Sequence, residues 1–178
     1  TVGMSLQTGI CGQIGGARPI SSVPDKVLRH WLHPAIAPEK RRRVGLYLAN
    51  SRYWNDERRS FAAKVMLDAT RTLDEGARRG RFALIVDTYE PHEPWTPPAP
   101  YADMYGEWRG PEPAMPRYGK VRNWLGPRQR DPIVSRLRQL YAAEVTMTDR
   151  WLGVLIERLH ELDLERETVI ALVADHGI

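Results

Sequence analysis

Phe82-Ala83-Leu84-Ile85-Val86 and Thr168-Val169-Ile170-Ala171-Leu172-Val173-Ala174 are the two stretches on which the fold turns. The first is apolar throughout, too short for a helix, and bounded by Gly80 and a proline-rich segment. A strand with one face in water alternates polar and apolar residues, whereas a strand covered on both faces does not. Both runs therefore predict strands buried on both faces, the second reinforced by its branched side chains. Between them, Asp131-Pro132 predicts a helix start, a cap followed by proline at the first helical position. Beyond it Ile133, Leu137, Leu140, Tyr141, Val145, Thr148, Leu152, Leu155, Ile156 and Leu159 recur every three or four positions, the stripe of a long helix. Strand, long loop, helix and strand make a βαβ unit. Two fully apolar strands predict an α/β fold with a mostly parallel central sheet and helices on both faces.

Working outward, residues 89–130 contain Pro91, Pro94, Pro97, Pro98, Pro100, Pro111, Pro113, Pro116 and Pro127, which exclude regular helix over most of the stretch. Its aromatics, Trp95, Tyr101, Tyr105, Trp108, Tyr118 and Trp124, argue against disorder, and ordered loops of this length inside compact domains are usually functional. Upstream, Phe61, Val65, Ala69 and Leu73 predict a helix capped by Asn55 or Asp56 and stopped at Gly80. Pro38 opens another through Arg41, Val44 and Leu46. Residues 1–22 read as glycine-rich loop with at most short strands; Gly12-Gln13-Ile14-Gly15-Gly16 lacks the Lys-Ser/Thr of a phosphate loop. The expected organisation is one α/β unit over 1–178: glycine-rich loop and helices in 1–80, then strand, proline-rich loop, helix, strand and turn in 81–178. A start at Thr1 and an end just past an apolar run both read as cuts, so a partial domain is expected.

With 178 residues, 42% of them apolar, the chain has the makings of a packed core rather than a disordered segment. The net charge of +4 and pI of 9.4 are mildly basic. Runs such as Lys40-Arg41-Arg42-Arg43 alternate with apolar residues at helical spacing, which favours a solvated helix face over a nucleic-acid footprint. No apolar run reaches the ~18 residues of a membrane span. Cys11 is alone, which excludes an internal disulfide and a multi-cysteine metal site, and slightly favours a reducing, cytoplasmic setting.

Sites in open α/β sheets lie just beyond the carboxyl ends of the strands. After the first strand come Asp87-Thr88-Tyr89-Glu90-Pro91-His92-Glu93-Pro94-Trp95; after the second come Asp175-His176-Gly177. Asp175 and His176 offer a carboxylate and an imidazole side by side, two ligands for one divalent cation. The bland alternative is that Asp175 caps a following helix and His176 packs. An imidazole held between prolines at His92 can donate a hydrogen bond to an oxyanion or protonate a leaving group. Its bland alternative is a surface histidine stacked on Trp95. Glu90 and Glu93 read as solvated or arginine-paired carboxylates, and His30, His33 and His160 as structural. Parallel neighbouring strands would deliver His92, Asp175 and His176 to one crevice.

At these residues the chain resembles a known family. FALIVDTYEPHEPWTPP (82–98) is similar to the sulfatase segment in which a strand runs into an Asp-Thr-x-x-Pro-His-x-Pro-Trp loop. Tyr141, Val145, Asp149, Gly153, Thr168, Val169 and Asp175-His176-Gly177 fall at the spacing of the sulfatase helix, strand and Asp-His-Gly turn. The resemblance implies an alkaline-phosphatase-like sandwich and a sulfuric ester hydrolase acting on small-molecule or glycan sulfates. It implies that Asp175 and His176 are two ligands of a single divalent cation, Ca2+ first, with Mn2+ or Mg2+ as alternatives. It makes His92 the substrate-binding histidine that contacts the sulfate group, with Trp95 bordering the organic part. The family nucleophile, a Cys or Ser in Cys/Ser-x-Pro-x-Arg, does not match here: Cys11 is followed by Gly12, Gln13, Ile14 and Gly15. No catalytic nucleophile is therefore expected in this chain, which by itself should be inactive and bind metal weakly. Phosphonate or phosphodiester hydrolases, phosphoglycerol or phosphoethanolamine transferases, and a non-catalytic remnant of the same fold are the competing readings.

Overall fold

The structure, a computed structural model, describes residues 2–7, 24–51, 57–113, 115, 119–123 and 125–177. Its strands are β1 (Val2–Gln7) and β2 (Phe82–Asp87), and its helices are α1 (Asp25–Trp31), α2 (Pro38–Ser51), α3 (Phe61–Arg79) and α4 (Pro127–Glu161). The two strands pair in parallel, with Val2 opposite Phe82 and Gln7 opposite Asp87. The predicted cap residues Asn55 and Asp56, the Gly12–Gly16 stretch, Cys11, Pro116, Tyr118, Trp124 and the His30 side chain lie outside the described residues.

Helix α3 is the brace of this unit, because its apolar side chains repeat at helical spacing and both its ends carry stop signals. Ser60 caps it, its Oγ accepting from the Ala63 amide at 3.1 Å, and Gly80 closes it at φ 92°, a backbone geometry that favours glycine. Ala62, Val65, Met66, Ala69 and Leu73 are buried, and Gly76 lets the last turns approach β2. A Cβ added at Gly76 would fall 2.8 Å from the Phe82 ring. Along β2 burial alternates: Phe82, Leu84 and Val86 are half-buried, whereas Ala83, Ile85 and Asp87 are exposed. One face of the strand is covered and the other is open, so the expectation of burial on both faces does not hold here.

The second predicted strand is not formed. Thr168–Ala174 pairs with nothing as a strand, and Val169 and Leu172 are 96% and 83% exposed. The parallel partner of β2 comes instead from Val2–Gln7, in the stretch read as loop with at most short strands. A continuous apolar run records what a segment needs around it, and a strand follows only where a neighbouring edge and a covering layer are supplied. A sandwich with helices on both faces is accordingly not seen among the described residues.

The long helix is present and begins earlier than predicted. Gly126 is its N-cap and Pro127 its first residue, so Pro132 lies inside it. Proline is suited to the first position, and Pro132 forfeits only a bond close to the helix start. The buried stripe of α4 is Ile133, Arg136, Leu137, Leu140, Ala143, Glu144, Met147 and Trp151, while Val145 is 39% exposed. Ala62, Ala63 and Met66 of α3 meet Ala143, Met147 and Trp151 of α4, with Val86 and Tyr101 alongside. A second cluster seats Trp95 against Leu125, Ile133, Leu137 and Leu140, and a third packs Leu28 and Leu32 with Ile36, Val44 and Met115.

The loop after β2 is fastened to α4 by Arg136, which is 1% exposed. Its guanidinium donates to both carboxylate oxygens of Glu112, at 2.7 and 3.1 Å, to Asp103 Oδ1 at 3.1 Å and to the Gly106 carbonyl at 2.8 Å. Burial alone would lower its pKa; the bonds to Glu112 and Asp103 outweigh this and raise it, keeping the group charged. Within the basic run on α2, Arg42 and Arg43 are exposed, whereas Arg41 donates to the carbonyls of Leu32 and His33 at 3.3 and 3.2 Å.

Candidate active site

The loop leaving β2 turns back on itself within a few residues. The His92 amide donates to the Tyr89 carbonyl at 3.0 Å, the Tyr89 hydroxyl to the Glu93 carbonyl at 3.1 Å, and the Trp95 indole to the Pro91 carbonyl at 3.0 Å. Trp95 is 4% exposed and packs on Tyr141 of α4. The His92 ring therefore lies not on Trp95 but on Tyr89, with centroids 4.5 Å apart. Trp95 is withdrawn into the core because its large apolar ring gains more from the α4 cluster than from the loop surface.

The imidazole of His92 is oriented rather than loose. Its Nδ1 lies 2.8 Å from the Glu93 carbonyl oxygen and 3.2 Å from the Glu93 carboxylate. Both neighbours are acceptors, which assigns a proton to Nδ1 and leaves Nε2 as the ring position to exchange a proton or meet an anion. Glu93 itself is 8% exposed, contrary to its expected solvation.

Asp175 and His176 occupy the exposed segment beyond α4. The His176 amide donates to Asp175 Oδ1 at 2.9 Å, Nδ1 lies 2.9 Å from the Gly177 carbonyl oxygen, and Nε2 lies 3.8 Å from Asp175 Oδ2. The Gly177 carbonyl and the Asp175 carboxylate raise the imidazole pKa, and the Glu93 carboxylate adds to the rise. His176 thus lies within electrostatic reach of the residue next to His92. No helix follows Asp175 among the described residues, so it is not a helix cap there. A carboxylate oxygen and an imidazole nitrogen suit a divalent cation as a partial donor set. Among the described residues no group of three or more His, Cys, Asp or Glu is placed to hold an ion, so these two donors are not a complete shell.

Two carboxyls behind the loop were not anticipated as such. Glu90, expected to be solvated or arginine-paired, is 5% exposed and accepts from the Ala62 amide at the start of α3. Burial pushes its pKa up to about 7, with the Ala62 and Phe61 amides opposing the rise. Glu144 of α4 is 3% exposed, and its Oε1 accepts from the Thr96 amide at 2.9 Å. Burial and then the charge of Glu90 push it up to about 8, opposed by the Thr96 amide. The sequence carried a signal for Glu144: it sits four residues after Leu140 and three before Met147, a lone acid within an apolar stripe. The structural reading of two other histidines has local partners, His33 Nδ1 accepting from the Ala35 amide at 3.0 Å and His160 meeting Glu165 at 2.9 Å.

The family model for sulfatases matches residues 33–178, spanning both the His92 loop and the Asp175-His176-Gly177 turn. The chain belongs to the sulfatase family. Human iduronate 2-sulfatase is a relative, 27% identical over 121 residues, which are 54% of this chain and 22% of that protein. The sulfatase chain thus spans about a fifth of the length of the curated relative it matches. No solved structure matches it significantly. Family membership implies an alkaline-phosphatase-like α/β fold, of which the described residues form one parallel strand pair and its helices. No described helix is long and apolar enough to cross a membrane.

Proposed function

We propose that this sulfatase chain contributes the substrate-facing histidine and part of the cation site of an enzyme that hydrolyses sulfuric esters. The observation that carries the reading is the family match running unbroken over His92 and Asp175-His176, together with an imidazole fixed through Nδ1 so that Nε2 is presented. His92 holds the sulfate oxygens or delivers a proton to the leaving ester oxygen as negative charge builds there. Glu93 orients the ring from behind. Asp175 and His176 supply one oxygen and one nitrogen ligand for a divalent cation, with Ca2+ favoured by the carboxylate and Mn2+ or Mg2+ as alternatives. When bound, that cation neutralises the non-bridging oxygens of the ester. The remaining ligands and the nucleophile come from outside the described residues, so the chain alone is expected to lack turnover.

The test uses the full-length protein. Sulfate-ester hydrolysis is measured for the wild type, His92→Ala and the double variant Asp175→Ala/His176→Ala, with bound metal counted by elemental analysis. Loss of a positioned proton donor is expected to lower kcat by roughly 10²–10⁴-fold in His92→Ala while leaving the metal in place. The double variant is expected to lose both metal and turnover. Turnover of phosphodiesters or phosphonates but not sulfate esters would move the assignment to another branch of the superfamily.

A further inference from the structure

Glu90 and Glu144 are buried acids, and neither forms an ion pair with a base among the described residues. Each binds the backbone of another element: Glu90 reaches from the loop to the first amides of α3, and Glu144 reaches from α4 to the loop amide of Thr96. Between these two attachments lie His92, Glu93 and Trp95. Glu144 Oε2 is buried without a hydrogen-bond partner among the described residues, as are the hydroxyls of Thr88 and Thr96. The charged and titratable groups of the surrounding elements are engaged elsewhere. Glu57 meets Arg150 at 3.1 Å, Arg150 also donates to the Tyr101 hydroxyl, and Arg136 is bound by Glu112 and Asp103. His92 and Glu93 contact each other. No side chain of α3, and no other side chain of α4, figures among the influences on the two acids.

We propose that Glu90 and Glu144 are positioning residues that clamp the His92 loop between α3 and α4, Glu144 doing so in its protonated form. The proton resides on Glu144. Glu90 accepts from the amides at the positive end of a helix, which favour an anion, whereas Glu144 has a single amide and a bare Oε2. An ionised Glu144 would be a buried charge with a bare Oε2 and no ion pair among the described residues, so its ionisation loosens the clamp. The upward shifts of both groups agree with this order, and the clamp is expected to hold through neutral pH and fail on the alkaline side. The link to catalysis rests on the role given to His92 above; the protonated state of Glu144 does not.

The experiment is done on the full-length protein with two independent readouts. Infrared difference spectra follow the protonated-carboxyl stretch against pH, and hydrogen exchange follows the Thr96 amide after correction for its intrinsic rate. The wild type is expected to show one protonated carboxyl at neutral pH that disappears on the alkaline side together with Thr96 protection. Glu144→Gln, a neutral isostere that still accepts from Thr96, is expected to lack that band and keep the protection at alkaline pH. In para-nitrophenyl sulfate hydrolysis, Glu144→Gln is expected to keep neutral activity and extend the alkaline limb. Glu144→Ala is expected to lose roughly 10²-fold in kcat at neutral pH, as a misplaced catalytic group does. Absence of the carboxyl band in the wild type, a band unchanged by Glu144→Gln, or a Glu144→Gln protein that does not fold would each overturn the proposal. Failure to hydrolyse any sulfate ester would sink the functional reading alone, because the spectroscopic and exchange results stand without it.

Discussion

At the scale of single residues, titration of the acid pair has a consequence for stability. Glu90 and Glu144 have folded pKa values of about 7 and about 8 against an ordinary 4.5. A carboxyl with a raised folded pKa binds more protons folded than unfolded, so its stabilising share is full below the ordinary value and lost as pH rises through the folded one. The protein is expected to lose stability between about pH 5 and about pH 8. Glu144→Gln should remove most of that slope and stabilise the alkaline form by roughly 1–3 kcal/mol, the penalty of an unsatisfied buried group. Urea denaturation of both proteins at a series of pH values checks this; parallel curves would refute it. His92, Asp175 and His176 were legible only as candidates, because polar residues directly after an apolar run stand out. Glu144 was not, because the stripe on α4 was assigned one face too far round, through Val145 and Leu152 rather than Ala143, Met147 and Trp151.

Among elements, the seam between α3 and β2 and the loop fastening on α4 are where substitution should hurt. Gly76→Ala would gain about 1 kcal/mol of helix propensity. Against that, its methyl would fall 2.8 Å from the Phe82 ring, and overpacking of this kind costs roughly 1–3 kcal/mol. The clash is expected to win, lowering the thermal midpoint. Arg136→Met removes the one cation that Glu112 and Asp103 share. Breaking a buried pair costs about 3–5 kcal/mol, and the lower end applies because both carboxylates keep some contact with water. Denaturant melts of the two variants decide both predictions. Helices α2, α3 and α4 were readable because apolar spacing, proline and glycine agree at each of them. The starts shifted, to Ser60 and Gly126, because several nearby residues offer equivalent caps.

Taken as a whole molecule, the apolar surface left uncovered among the described residues includes the Ile85 side of β2 and the Val169–Val173 segment. The apolar runs at 82–86 and 168–174 were read as strands buried on both faces; the first is a strand open on one face and the second is exposed and forms none, because the neighbours that supply cover are set by distant segments. In this chain Val169→Ser and Leu172→Ser are expected to change stability by less than about 0.5 kcal/mol, as for other exposed sites, while raising solubility. A cost of several times that amount would mean the segment is packed after all.

The first turn of α3 gives its amides to two masters: Ser60, its own neighbour, and Glu90, twenty-eight positions away in sequence. Seating of the His92 loop is thus tied to a helix start that lies outside the loop itself. Ser60→Ala, a change of one oxygen atom remote from the chemistry, should therefore surface first as a lesion in turnover and only afterwards as a fall in melting temperature. A screen that looked only at the loop around His92 would pass over it.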